Sequence, residues 1–225
     1  MTATTPPSRI ELSPVGSMNY HMLRELIDEF DILQLQHGAE IGVLYADTST
    51  YLLSSFPQLA LLSVDPYLPY EEIEKERTES SMSTYEALAH ERLAAFGPRA
   101  SLVKATSLEA VEAVPNEYFD FVFIDALHTY EAVRNDIAAW TSKIRPGGLL
   151  SGHDISWGGV KQAVEEYAAA RQVKIYQTPL LSDIWYTFIT PDGTPTNAPR
   201  SQASRRAGLE ILAKKYGVPI EGLDK

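Results

Sequence analysis

Two hydrophobic runs in this chain end on groups that resist burial. FDFVFIDALHTY (residues 119–130) closes with Asp125, and His128 follows three residues later. GGLLSGHDISW (147–157) closes with His153 and Asp154. Carboxylates and imidazoles are the side chains that coordinate cations and move protons near neutral pH. Two strands releasing them at their C-terminal ends would form two walls of one site. Singly, each has a plainer use: Asp125 can close its strand, His128 can cap the helix that begins near Tyr130, and His153 can hydrogen-bond structurally. Taken together, His128, His153 and Asp125 or Asp154 also match the ligand set of a two-His-one-carboxylate iron site.

A second group of polar residues lies upstream. In EIGVLYADTS (40–49), Glu40 precedes Gly42, where the missing side chain would let a ligand approach the backbone. Thr48 or Ser49 can cap the helix that follows or hold a carboxylate. Asp65 ends LLSVDPY about twenty residues after the glycine, the place from which an acid accepts hydrogen bonds from a ribose diol. Thr106 and Ser107 end KATS and suit the edge of an adenine. Each has a turn or cap reading of its own, but in this order they outline a nucleoside site. The stretch is not a dinucleotide G-x-G-x-x-G, because Leu44 and Ala46 stand where glycines would, and no P-loop lysine follows.

The elements that must position these residues alternate. Residues 39–44, 59–64, 100–105, 119–124 and 148–152 read as short buried strands; 83–96, 130–144 and 158–171 carry helical patterns. That alternation predicts βα units and a parallel sheet covered on both faces. RPGG (145–148) reads as a helix stop and turn. Residues 173–177 and 183–189 predict two more strands joined by a short loop with Pro179, so the last strand should run antiparallel. In open sheets of this kind ligands bind beyond the C-terminal strand ends.

Residues 1–17 read as an irregular Pro/Ser/Thr-rich arm, and 18–35 as a helix. Residues 67–86 read as a charged insertion or a lid, and 191–225 as a loop and a short helix near 203–216. His37 and His90 read as surface residues, and His21 near the mouth of the site is disfavoured. With 225 residues, 44% hydrophobic and 22% charged, the chain can bury one α/β domain. A net charge of −11 disfavours a nucleic-acid partner. The absence of cysteine excludes disulfides, thiolate zinc sites and cysteine nucleophiles. No run of 18 apolar residues and no signal-peptide h-region is present, so a cytoplasmic protein away from the membrane is expected.

These residues together resemble the class I S-adenosylmethionine-dependent methyltransferases, over roughly 18–190. Within that class the chain is similar to the metal-dependent small-molecule O-methyltransferases, of the catechol and caffeoyl-CoA type and the bacterial macrocin type. E-I-G-x-x-x-A-x-[ST] is similar to the family's first motif, with Ala46 at its second glycine. The resemblance implies a Rossmann-like, doubly wound seven-stranded sheet, mostly parallel with the last strand antiparallel. It implies that Glu40 orients the loop, that Gly42 belongs to the cofactor site, that Thr48 holds the methionine carboxylate, and that Asp65 takes the ribose hydroxyls. Thr106 and Ser107 would lie by the adenine, and Asp125 near the cofactor. It places Asp125, His153 and Asp154 at a divalent metal, with Trp157 as in the caffeoyl-CoA type, and His128 where a general base stands. The expected cofactors are S-adenosylmethionine and Mg²⁺ or Mn²⁺, a His ligand tilting the choice away from Mg²⁺. The expected reaction is methyl transfer to a hydroxyl of a small acceptor, and the resemblance is compatible with a homodimer. Three other readings keep parts of this: a metal-independent methyltransferase, an iron oxygenase-like protein of the same fold, and a non-catalytic cofactor-binding module.

Overall fold

The computed structural model describes Leu23, Arg24, Ile27 and residues 35–72, 75–178 and 183–196, without the side chains of 71, 72, 75 and 76. The 1–17 arm, most of the 18–35 helix and the 203–216 helix lie outside these residues. Leu23 and Ile27, the described apolar positions of the first helix, are helical and fully buried.

In chain order the strands are β1 (His37–Ile41), β2 (Ala60–Val64), β3 (Tyr70–Glu72), β4 (Lys75–Arg77), β5 (Ala100–Val103), β6 (Phe119–Ile124), β7 (Ile144–Gly152), β8 (Tyr176–Gln177) and β9 (Trp185–Phe188). The helices are α1 (Asp47–Ser55), α2 (Glu79–Ala94), α3 (Ser107–Glu112), α4 (Tyr130–Trp140) and α5 (Gly158–Arg171). Seven strands form one sheet in the order β5-β2-β1-β6-β7-β9-β8. The first five in that order run parallel, and β9 lies antiparallel between β7 and β8. This is the doubly wound arrangement expected, with the order reversing between β1 and β6.

The apolar strand runs are explained by helices on both faces. Along β6, Phe121 and Phe123 join one buried cluster with Leu61, Leu149 and Leu52, while Val122 and Ile124 join another with Ile41, Leu150 and Trp140. A strand buried on both sides has no polar face to alternate with.

Two segments differ from expectation. RPGG belongs within β7: Phe119 pairs with Ile144, the register then shifts, and Phe121 pairs with Leu149. Gly147 absorbs the irregularity at φ +79°. Residues 67–86 are not one uniform insertion, because β3 and β4 pair antiparallel as a small hairpin and α2 begins at Glu79, capped by Thr78. At the N-terminal edge of the sheet, Asp120 accepts from the Gln36 and His37 amides and from Arg145 Nε, locking β1, β6 and β7 together opposite the site.

Candidate active site

Parallel register fixes what emerges at the C-terminal edge. Val103, Val64, Ile41, Ile124 and Gly152 stand opposite one another along adjacent strands. The next residue of each strand forms a row: Lys104, Asp65, Gly42, Asp125 and His153. The ladder runs one step further, with Asp125 N–H donating to Ile41 and His153 N–H to Ile124. The nucleoside-type residues and the coordinating residues therefore share one edge, on either side of the switch between β1 and β6.

Gly42, at φ +90°, is the hinge of that edge. A Cβ there would lie 2.0 Å from the Asp125 carbonyl oxygen. On its Cβ side the close approach it permits is made by the protein's own backbone. After Gly42 the chain turns through Leu44 and Ala46, both with positive φ, into α1. Asp65 holds this turn: its Oδ2 accepts from the Val43 and Leu44 amides at 2.9 Å each, and its Oδ1 from Tyr67 N–H at 2.8 Å. Arg92 on α2 clamps the other side, donating to the Tyr45 carbonyl and to Asp47 at 2.5 Å.

Glu40 lies beneath the loop, 2% exposed, and accepts from Ser49, whose hydroxyl also meets Ser63 at 2.7 Å. Burial pushes its pKa up to about 8; hydrogen bonds from Ser49 and Thr48 oppose the shift, and Asp125 and Asp65 add to it. Thr48 thus turns to Glu40, which fits a loop-orienting role for the acid. Thr106 caps α3 through a full capping box with Glu109. The Ser107 hydroxyl accepts from Trp140 Nε1 at 2.8 Å and bonds Asp136, whose pKa burial raises to about 6. Within the protein Thr106 thus caps its helix, while Ser107 bonds across to α4.

On the other side of Gly42 four groups converge. His128 Nε2 lies 2.7 Å from Asp154 Oδ2 and 3.9 Å from Asp125 Oδ1. His153 Nδ1 lies 2.9 Å from the same Asp154 oxygen and 3.6 Å from the same Asp125 oxygen. Three of the groups, Asp125, His128 and Asp154, each offer a ligand atom within 4.8 Å of the other two. Atoms bound to one cation at about 2.1 Å are about 3 Å apart when adjacent, so these spacings suit a shared ion.

Local chemistry explains the convergence. Thr129, not His128, caps α4, leaving the imidazole to turn inward. The His128 ring packs on Trp157 with centroids 4.8 Å apart. Asp154 takes a left-handed conformation at φ +57°, tolerable for Asp, and its carbonyl accepts from Trp157 N–H. The kink turns its carboxylate back over the strand ends.

The electrostatics are those of a tight mixed-charge group. Burial raises the Asp154 carboxyl, but hydrogen bonds from His128 and His153 overcome it and hold the pKa well below the carboxylate range. Burial opposes the charged form of His153, yet Asp125 and Asp154 outweigh it and raise its pKa. His153 Nε2 is buried without a hydrogen-bond partner among the described residues. Sequence reading missed Asp183, whose carboxylate accepts from Ser156 N–H and Oγ–H and contributes to the rise at His153. Nothing in a strand-initial Asp signals a contact made across a loop.

A seven-stranded sheet in this order, with an acid ending its second strand and a glycine turn after its first, defines the class I methyltransferase architecture. The chain belongs to the Methyltransferase domain family, whose model matches residues 39–155, just over half of the chain. Among solved structures it is similar in fold to an O-methyltransferase from Bacillus cereus in complex with SAH (15% identity, 80% of this chain and 82% of that one, TM-score 0.55). It is also similar to TomG, an O-methyltransferase from Streptomyces achromogenes involved in tomaymycin synthesis, in complex with SAM (18%, 80% and 81%, 0.53). Spermidine synthase from Thermotoga maritima shares the fold as well (16%, 90% and 76%, 0.57). Among curated proteins, no sequence matches this chain.

Proposed function

We propose that the protein is an S-adenosylmethionine-dependent O-methyltransferase acting on a hydroxyl of a small molecule with the help of a divalent metal. The observation that carries this reading is the convergence of Asp125, His128, His153 and Asp154 beside the Gly42 turn. The residues fit a metal: two carboxylates and two imidazoles face one another, and an oxygen-nitrogen donor set suits Mn²⁺ or Mg²⁺. A bound cation would lower the pKa of a coordinated hydroxyl, which is about 10 or higher when free.

Asp125 and Asp154 supply the carboxylate ligands, His153 the third, and His128 takes the acceptor's proton. A neutral imidazole suits that task because its ordinary pKa is near 6.5. Glu40, Thr48 and Asp65 order the loop that faces the cofactor, and Thr106 with Ser107 border its adenine. Their work is positioning, since displacement at a methyl sulfonium depends on an in-line approach. The spacing of Asp125, His128 and Asp154 favours a second arrangement, in which His128 is the ligand and His153 the base.

Calorimetric titration of S-adenosylmethionine, then Mn²⁺ or Mg²⁺, into wild type, Asp154→Ala, His128→Ala and His153→Ala tests the whole reading. Cofactor binding in all four proteins with metal binding lost in Asp154→Ala is expected. In the first arrangement His128→Ala keeps metal affinity and loses turnover, while His153→Ala weakens metal binding; in the second the two exchange effects. Cofactor binding without metal binding in wild type leaves a metal-independent transferase. No cofactor binding overturns methyl transfer.

A further inference from the structure

Tyr67 follows Asp65 by two residues and is unlike any other tyrosine described. Its backbone is left-handed at φ +49°, a conformation disfavoured for a residue bearing a side chain. Such strain persists only where surrounding structure holds it, and it gathers at ligand sites. Here the holding contact is Asp65 Oδ1, which accepts the Tyr67 amide, while Asp65 Oδ2 grips the Gly42 turn. One carboxylate therefore fixes both the turn and the tyrosine.

The phenol is 5% exposed and shares a buried cluster with Val43 and Ala46 of the turn and Met82 and Ala89 of α2. Its hydroxyl has no hydrogen-bond partner among the described residues. A buried hydroxyl left unpaired is costly, and a packing role alone would be met by phenylalanine. Burial raises its pKa, and the Asp65, Glu40 and Glu86 carboxylates raise it further, so the group stays neutral and is a donor. Glu86 pairs with Lys104, at the edge position next to Asp65. Tyr67 is thus tied by its backbone to Asp65, on the nucleoside side of the sheet edge, with its ring in the cluster that holds Val43 and Ala46 of the turn.

Resting on the cofactor reading above, we infer that Tyr67 is a cofactor-positioning residue whose hydroxyl donates to a ribose oxygen of S-adenosylmethionine beside Asp65. Asp65 already accepts three backbone N–H groups. It can take a ribose O–H but offers no donor, and Tyr67 supplies one.

The test is calorimetry of S-adenosylhomocysteine into wild type and Tyr67→Phe, with melting of both apo proteins. The expected result is a three- to tenfold loss of affinity, the worth of one neutral hydrogen bond of about 1 kcal/mol. The apo melting temperature should be equal or higher, because the substitution removes an unpaired buried hydroxyl. The affinity difference should vanish with the 2′-deoxy or the 3′-deoxy analogue. Equal affinity in the two proteins, a loss that persists with both analogues, or a lower apo melting temperature with unchanged affinity each overturns the assignment. In all three cases the cofactor reading stands, whereas failure of wild type to bind takes down both.

Discussion

At the scale of single residues, Gly42 carries the heaviest constraint on the site. A methyl group there meets the Asp125 carbonyl at 2.0 Å on a backbone already at φ +90°. Gly42→Ala should lower unfolding free energy by about 2–4 kcal/mol, combining left-handed strain with displacement of a packed backbone. Because the displaced atom belongs to Asp125, the proposed metal site should weaken with stability, read by urea unfolding and metal titration. Glu40 gives a pH-dependent counterpart. Its folded pKa of about 8 lies above the ordinary 4.5, so between those values the folded chain keeps a proton the unfolded chain has lost. Its contribution is therefore fully present below pH 4.5 and falls as pH rises, by up to about 1.4 kcal/mol per unit, levelling off above 8. Glu40→Gln cannot titrate, so its stability relative to wild type should climb between pH 5 and pH 8. Urea unfolding at both values checks this, and a constant difference would sink the protonated-Glu40 account.

At the scale of elements, the two glycines opening α5 do different work. A Cβ on Gly158 meets nothing within 4 Å, whereas one on Gly159 would lie 2.6 Å from the His128 carbonyl oxygen. The start of α5 is thereby seated against the loop that carries His128. Gly158→Ala should stabilise by up to about 1 kcal/mol through lower unfolded-state entropy. Gly159→Ala should destabilise and push His128 away from Asp154, lowering turnover in proportion to the misplacement. Thermal melting and a methyl-transfer assay read the pair, and equal behaviour of the two variants would mean that α5 does not seat the loop. Adjacent glycines in G-G look alike in sequence; only the neighbouring loop that leads into α4 separates them.

At the scale of the whole molecule, the chain carries a net charge of −11, and no described helix is long and apolar enough to cross a membrane. The ligand expected is small and seated along one sheet edge, so its binding should couple to global unfolding. S-adenosylhomocysteine at one hundred times its Kd should stabilise by about 2.7 kcal/mol. For a domain of this size that is a rise in Tm of about 5–10 °C. Differential scanning fluorimetry measures it directly. A flat response would place the edge residues in structural roles alone.

Sequence by itself determined the strands of the seven-stranded sheet, their alternation with helices and the reversed last strand, because burial on two faces writes continuous apolar runs and short loops forbid parallel return. It also determined which polar residues end those strands. Asp125, His153 and Asp154 stand out because they follow buried runs, with His128 three residues beyond the first; each has a plainer use singly, and it is their pairing at two strand ends that draws notice. What lay beyond the sequence was partnership across the sheet. Parallel register put Gly42 under Asp125 and set both imidazoles against the same two carboxylate oxygens. Tertiary packing alone gave Ser107 to Trp140, made RPGG part of a bulged strand, and left the Tyr67 hydroxyl buried without a hydrogen-bond partner among the described residues. Residue type and spacing act along the chain and leave local marks; which groups share an oxygen or lack one is decided by contacts between strands far apart in sequence.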